Sequence, residues 1–127
     1  SGFSDGKPWL PVAETHSAGS VEVQDAQSDS VLNGVRHLMR WRKAHPALVA
    51  GDISFLDAPE PVLAFTRRSD DESLLVVFNL SAQPQQWAIP ADLGSLAPVD
   101  DHGLLSGRVD AGQLQLPAHG VFYARIG

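Results

Sequence analysis

Residues 28–51 form the one long stretch of the chain with the 3.6-residue period of an amphipathic helix. On a helical wheel its apolar side chains fall on one continuous arc, which holds Val31, Leu32, Val35, Leu38 and Met39. This arc covers roughly half of the circumference, whereas an ordinary surface helix has a stripe about 100° wide. We therefore expect this helix to have neighbours on two sides.

Residues at both ends of the stretch indicate where the helix begins and ends. Ser28 or Ser30 can act as the N-cap, because a Ser hydroxyl accepts a hydrogen bond from the free amides of the first turn. Pro46 disfavours helical backbone angles at His45, so the continuous helix should end there. We assign residues 28–50 to this helical region.

Residues 1–27 are predicted to form an extended arm, because Gly and Pro recur too often for a helix across most of it. The arm nevertheless carries the large apolar side chains Phe3, Trp9, Leu10 and Val12, which are unusual in a free linker. Two interpretations remain open. These side chains pack onto the chain's own core, or they pack against a partner domain that lies outside this sequence.

Residues 51–127 predict a mainly β fold, an antiparallel Greek-key-like β-sandwich preceded by the arm and the single amphipathic helix. The segment 74–80 is almost continuously apolar and should be the central, most buried strand. Residues 91–103 are predicted to be irregular, and 110–112 to form a tight turn. The seven predicted strands are 52–57, 62–67, 74–80, 85–89, 104–109, 113–116 and 120–126.

Composition argues against several classes of function. The formal net charge of −6 argues against binding to nucleic acid or to an anionic membrane. No apolar run approaches the ~20 residues of a membrane span, and the N-terminus lacks the pattern of a signal peptide. The chain has no Cys, which fits a cytoplasmic location. It also lacks an initiating Met, which suggests a piece of a longer protein.

The sequence contains no catalytic or metal-binding motif. None of the five His residues has the spacing of a metal site, and we expect them to be solvated or bonded locally. The nucleophile elbow G-x-S-x-G and the phosphate-binding loops are absent. The carboxylate pairs at 70–71 and 100–101 lie in predicted turns, where Asp is common. We therefore predict no catalytic residue, no metal site and no cofactor within this chain.

The three Trp residues offer an alternative from another functional class. Trp side chains stack on sugar rings, so Trp9 and Trp87 would be the platforms of an independent carbohydrate-binding sandwich. Core filling explains at least two of the three more simply. An exposed aromatic row on one sheet face would favour the binding module.

Several motifs occur along the chain in a characteristic order. The first are residues 2–4 (GFS) and 7–12 (KPWLPV), followed by an acidic stretch at 25–33 (DAQSDSVLN) and by the most specific motif, 42–51 (RKAHPALVAG). Three later segments are 62–67 (VLAFTR), 75–80 (LVVFNL) and 116–122 (LPAHGVF). Together these motifs resemble the α-glucosidases of glycoside hydrolase family 13, in which the first two resemble the loop after the last barrel strand and the last three the sandwich strands.

This resemblance implies that residues 28–50 are the last helix of the catalytic (β/α)₈ barrel and residues 51–127 the C-terminal domain. Residues 1–27 would then be the end of the final βα loop. Because such loops border the active site of a barrel, Phe3 and Trp9 are candidates for the rim of the substrate cleft.

The family's catalytic groups have no counterpart in this chain. Its retaining mechanism uses an Asp nucleophile, a Glu acid/base and a second Asp, all upstream of the matching region. The resemblance thus implies a non-catalytic C-terminal part, partnered by a barrel that acts on short α-glucosides. A sister enzyme remains open, namely a sucrose hydrolase, an isomerase or a trehalose synthase.

Overall fold

A computed structural model describes residues 6–127, so the candidate rim residue Phe3 lies outside the described residues. The chain divides into two compact units, residues 1–40 and residues 41–127. The helices Glu14–Ala18 and Val21–Ala26 lie in the first unit after a non-helical segment, residues 6–13, and the second unit contains all the strands of residues 6–127.

The arm contains two short helices, α1 (Glu14–Ala18) and α2 (Val21–Ala26). The extended conformation predicted for residues 1–27 is therefore wrong between Glu14 and Ala26. The Ser20 hydroxyl accepts a hydrogen bond from the Val23 amide at 3.4 Å and so caps α2. The prolines at positions 8 and 11 precede both helices, which leaves the later part of the arm free to coil.

The amphipathic helix is α3 (Val31–Lys43), and its predicted ends are confirmed. Ser30 is the N-cap, because its hydroxyl accepts a hydrogen bond from the Asn33 amide at 3.3 Å. His45 is extended (φ −115°, ψ 96°), and Pro46 then opens a separate short helix, α4 (Pro46–Ala50). Three residues of the apolar arc of α3 are exposed, Val31 (78%), Val35 and Met39, while Leu32 and Leu38 are half-buried.

Eight strands in two sheets form the second unit, which confirms the predicted antiparallel sandwich. The larger sheet has the order β1-β2-β3-β8-β5 and the smaller the order β4-β7-β6. Every pairing between the strands is antiparallel. The strands are β1 (Asp52–Phe55), β2 (Val62–Arg68), β3 (Ser73–Asn79), β4 (Gln85–Ala88), β5 (Leu96–Pro98), β6 (Arg108–Asp110), β7 (Gln113–Leu116) and β8 (Val121–Ile126).

Two elements of the sheets differ from the sequence prediction. β5 lies in the region predicted to be irregular, where it pairs with β8 at the edge of the larger sheet. β6 begins four residues later than the predicted start at 104, since residues 104–107 are a loop whose backbone follows β8 without joining the sheet.

The core lies between the two sheets. β3 is the middle strand of the larger sheet and four of its seven residues in succession are buried, as the apolar run predicted. The inward side chains of β2, β3 and β8 pack against those of β4 and β7. This core contains Val62, Ala64, Leu75, Val77, Trp87, Leu93, Leu114, Leu116, Phe122 and Ala124.

A candidate docking face on the larger sheet

The outer face of the larger sheet is aromatic from edge to middle. Strand register places Phe55 of β1 beside Phe65 of β2, and Val76 of β3 beside Tyr123 of β8. Phe78 follows Val76 by two residues and therefore lies on the same face. Because side chains alternate along a strand, these rings point away from the core between the sheets. The residues Phe55, Phe65, Phe78, Tyr123 and Trp41 are called the aromatic ladder below.

Successive rings of the aromatic ladder touch one another. The ring centroids are 5.9 Å apart for Phe55 and Phe65, and the same distance separates Phe65 and Phe78. Phe78 and Tyr123 are 6.0 Å apart and nearly perpendicular. Tyr123 meets Trp41 at 4.8 Å. These are the edge-to-face and tilted arrangements that aromatic pairs prefer, so the face is a packed layer rather than scattered rings.

One half of this face is covered by the chain itself. Trp41 lies over Tyr123, and its indole N–H donates a hydrogen bond to the Asp100 carbonyl at 2.8 Å. His45 packs against Trp41 with ring centroids 4.3 Å apart, and Leu48 is buried on α4, which contacts β2 and β3. His102 closes the cluster from the other side, 5.0 Å from Tyr123. We call this part the covered half.

Both buried histidines of the covered half are held by local hydrogen bonds, as the sequence predicted. The Trp41 carbonyl can only accept, so His45 Nδ1 carries a hydrogen and donates it across 2.9 Å. The Leu104 amide donates to His102 Nδ1 at 3.1 Å. The neutral His102 ring therefore carries its hydrogen on Nε2, which faces the Ser106 hydroxyl at 3.1 Å.

Two side chains fix α4 against the sheet. Glu72 Oε2 accepts a hydrogen bond from the fully buried amide of Ala47 at 3.2 Å, and its other oxygen lies 3.7 Å from Arg125 Nε. The Arg67 guanidinium donates to the Gly51 carbonyl at 2.8 Å, just after α4 ends. A helix start and a helix end are thus each bonded to a strand or hairpin of the larger sheet.

The fold alters the protonation of Tyr123, which lies in the covered half. Burial raises the pKa of its hydroxyl above the usual value of about 10, because the charged tyrosinate would lose its hydration. The side chain therefore stays neutral and apolar in character across the ordinary pH range.

The other half of the face has no cover within the described residues. Phe55 is 68% exposed and Ile53 about half exposed, while Phe65 and Phe78 are partly exposed. A contiguous apolar patch of this kind on a folded domain marks a surface that meets another protein part. We call Ile53, Phe55, Leu63, Phe65 and Phe78 the uncovered half.

The structure separates the three Trp residues. Trp87 is only 4% exposed, because it alternates inward on β4 opposite Leu114, and its indole N–H lies 3.3 Å from the Asp57 carbonyl. The prediction of Trp87 as a sugar platform is therefore wrong. Trp41 is buried as well, which confirms that at least two Trp residues fill cores.

Trp9 is 91% exposed in the first unit, and Leu10 and Val12 are exposed too. Packing of the arm's apolar residues onto the chain's own core is therefore wrong for these three. The carboxylates at 70–71 and 100–101 are exposed in loops, and among residues 6–127 no cluster of three or more side chains is arranged to hold a metal ion. No helix in that range is long and apolar enough to cross a membrane.

The aromatic ladder was not identified from sequence. Strand alternation alone puts Ile53 and Phe55 on one face. The contacts of Phe65, Phe78 and Tyr123 depend on strand register, which pairs residues far apart in the chain.

Both parts of the chain match known protein families. Residues 53–122 match the family described as maltogenic amylase, C-terminal domain. Residues 1–51 match the family described as alpha amylase, catalytic domain.

Individual relatives cover nearly the whole chain. A protein named probable alpha-glucosidase from Rhizobium meliloti is 36% identical over 125 residues, which are 98% of this chain and 22% of that protein. The trehalose synthase/amylase of Mycobacterium tuberculosis is 33% identical, with 99% of this chain and 24% of its own covered. The crystal structure of an alpha-glucosyl transfer enzyme superposes with a TM-score of 0.89 at 44% identity, covering 99% of this chain and 23% of the other. The chain thus spans less than a quarter of each.

Proposed function

The chain belongs to the maltogenic amylase C-terminal domain family within the α-amylase-type glycoside hydrolases, and from this membership we propose that it is the non-catalytic C-terminal part of an α-glucosidase-like retaining enzyme. Its role is to stabilise the catalytic (β/α)₈ barrel. The observation that carries the proposal is the uncovered half of the aromatic face, which needs a partner.

The covered half indicates what that partner is. Trp41 packs on Tyr123 and His45 packs on Trp41, and both residues lie within the segment that matches the catalytic-domain family. Most of the larger sheet belongs to the C-terminal-domain match, which ends at residue 122, one residue before Tyr123. Catalytic-domain sequence therefore already packs on this face, and the rest of that domain is the natural occupant of the uncovered half.

The stabilisation from a contact between the uncovered half and the barrel can be estimated from its apolar side chains. Burying a large apolar side chain such as Phe55 or Ile53 contributes about 1.5–3 kcal/mol before the costs of ordering. Several such side chains lie together on the uncovered half, so the contact would matter to the stability of the whole enzyme. It would not supply catalytic groups.

The substrate assignment follows from the relatives rather than from this chain's side chains. We propose short α-glucosides as substrates, reached only through the barrel, and a cytoplasmic location for the enzyme. The named relatives include a probable alpha-glucosidase, a trehalose synthase/amylase and an alpha-glucosyl transfer enzyme. Glucosidase, trehalose synthase and glucosyl-transfer activities therefore all occur among similar proteins, and upstream barrel loops would select among them.

Trp9 is proposed to lie at the rim of the substrate cleft. It is exposed, it lies in the part that matches the catalytic domain, and large exposed aromatic side chains suit contact with sugar rings. Phe3 is proposed for the same rim on the resemblance alone. Replacing Trp9 with Ala in an enzyme that carries this chain should raise KM for maltose without lowering thermal stability.

A chimera tests the docking proposal. The corresponding region of the Rhizobium meliloti protein, 36% identical, is replaced by this chain, and hydrolysis of p-nitrophenyl α-glucoside and the melting temperature are measured. We expect the chimera to be active. Phe55→Asp in the chimera should lower its melting temperature by several degrees, since a charge would be placed in an apolar contact.

Gln113→Asp is the control, because Gln113 is exposed on β7 of the smaller sheet, on the opposite side of the core from the aromatic face. Equal losses from both substitutions would contradict docking at this face. Turnover by the purified 127-residue chain alone would contradict its non-catalytic assignment and direct attention to the Asp pairs at 70–71 and 100–101.

A further inference from the structure

A groove of about 440 Å³ crosses the outer face of the smaller sheet. It is lined by a row of three polar side chains, Gln86, Gln115 and Arg108, and by Pro84, Gln85, Ser106, Leu116 and Pro117. We propose that this groove is a binding site for a neutral carbohydrate.

The sheet itself arranges the three polar side chains. Gln115 of β7 pairs with Gln86 of β4 on one side and with Arg108 of β6 on the other. Neighbouring positions on these strands, Trp87 and Leu114, point into the core, so alternation turns the three polar side chains outward. The result is a row across three strands with one strand spacing, about 4.8 Å, between successive side chains.

These side chains are available to a ligand. Within residues 6–127, no hydrogen bond or ion pair engages the side chains of Gln86, Gln115 or Arg108. At one end Gln85 Nε2 lies 3.5 Å from the Ser81 hydroxyl, a long contact that leaves most of its hydrogen-bonding capacity free. The row therefore offers amide donors, amide acceptors and guanidinium donors to solvent.

The chemistry of the row fits a polyhydroxylated, uncharged molecule. Each sugar hydroxyl donates one hydrogen bond and accepts others, and an amide side chain provides both a donor and an acceptor. Arg108 adds donors only. An anion fits less well, since Arg108 is the one cation of the lining and Asp110 lies two residues further on the same face of β6. An apolar ligand would leave the amides without partners.

This site does not depend on the docking proposal. The groove lies on the outer face of the smaller sheet, whereas the aromatic ladder lies on the outer face of the larger one, with the core between them. Docking through the uncovered half would leave the groove open. Either proposal can therefore fail without the other.

The test is an NMR titration of the uniformly ¹⁵N-labelled chain with maltotriose. We expect saturable shifts in the side-chain amide signals of Gln86 and Gln115, with a dissociation constant on the order of millimolar for a shallow polar site. Gln115→Ala should weaken binding by about tenfold, because each amide of the row would contribute a hydrogen bond or two.

Gln113→Ala is the matched control. Gln113 has the same residue type, strand and outer face as Gln115, but it lies outside the groove beside Ala88 and Asp110. Its substitution should leave maltotriose binding unchanged.

Three outcomes would overturn the proposal. One is the absence of saturable shifts in the groove. Another is that sorbitol produces the same shifts with the same affinity, which would show non-specific polyol contact. The third is that inorganic phosphate binds at Arg108 while maltotriose does not, which would make the groove an anion site.

Discussion

The two outer faces of this sandwich are built alike and differ in what they carry. Both sheets bury one set of alternating side chains in the same core. Outside, the larger sheet presents the aromatic ladder, whereas the smaller sheet presents Gln86, Gln115 and Arg108. The apolar face is covered over one half by the chain's own Trp41, and the polar face has no need of cover. The core residues therefore determine the fold, while the outward side chains determine which molecules each face can bind.

The largest effect should come from removing the cover of the apolar face. Trp41→Ala would delete the indole that packs on Tyr123, His45 and His102, and should lower the free energy of unfolding by about 3–5 kcal/mol. Urea unfolding of the isolated chain measures this. Trp9→Ala is the control, since Trp9 is exposed and should change stability by less than about 0.5 kcal/mol. If Trp41→Ala and Trp9→Ala both change the free energy of unfolding only slightly, the packing of Trp41 on Tyr123 contributes little to stability.

A smaller loss should follow from loosening α4. Glu72→Ala would leave the buried amide of Ala47 without its acceptor, which costs about 1–3 kcal/mol. Asp71→Ala, next to it in the chain and exposed, should be nearly neutral by the same urea measurement. If the two variants unfold at the same urea concentration, Glu72 does not hold the helix.

Burial of Tyr123 in the apolar face should make the free energy of unfolding fall at alkaline pH. The folded pKa of Tyr123 is raised, so above pH about 10 the unfolded chain loses this proton first and is favoured. Stability is therefore fully present below that pH and falls as pH rises towards the folded pKa. Tyr123→Phe should flatten this part of the curve. Tyr123 is the one tyrosine of the sequence, so tyrosinate absorbance reports its titration directly, and an ordinary pKa there would contradict the prediction.

The smallest effects should come from the exposed parts of the two faces. In the isolated chain, Phe55→Ser and Gln86→Ser should each change the free energy of unfolding by less than about 0.5–1 kcal/mol. They should differ in dye binding, because only Phe55 belongs to an exposed apolar patch. Phe55→Ser should reduce fluorescence of a hydrophobic dye, and Gln86→Ser should not. Equal dye binding would remove the distinction between the faces.

Hydrophobic periodicity predicts secondary structure best where the pattern is long or unbroken. It found the helix from Val31, its stop before Pro46 and the buried strand from Leu74. It missed β5, because a three-residue edge strand ending in Pro98 has almost no period to detect. It missed α2, whose signal was a single capping residue, Ser20.

The candidate sites were harder to predict than the fold. Trp87 is inward because of its register with Leu114, and a sequence alone does not give the partner strand. The row of Gln86, Gln115 and Arg108 depends in the same way on two pairings. The hairpin turn at Ala111 and Gly112 was predicted, since Gly is favoured at positive φ; these residues have φ of 47° and 79°.

The position of Trp41 bears on how such enzymes evolve by exchange of parts. The two family matches meet at residues 51–53, yet the second compact unit already starts at Trp41. A recombination event at the family border would transfer a sandwich whose Tyr123 is bare. One placed before Trp41 would transfer the sheet together with its own cover. The compact structural unit, residues 41–127, is therefore longer than the segment that matches the C-terminal-domain family, residues 53–122. We expect successful crossovers among these genes to cluster upstream of Trp41.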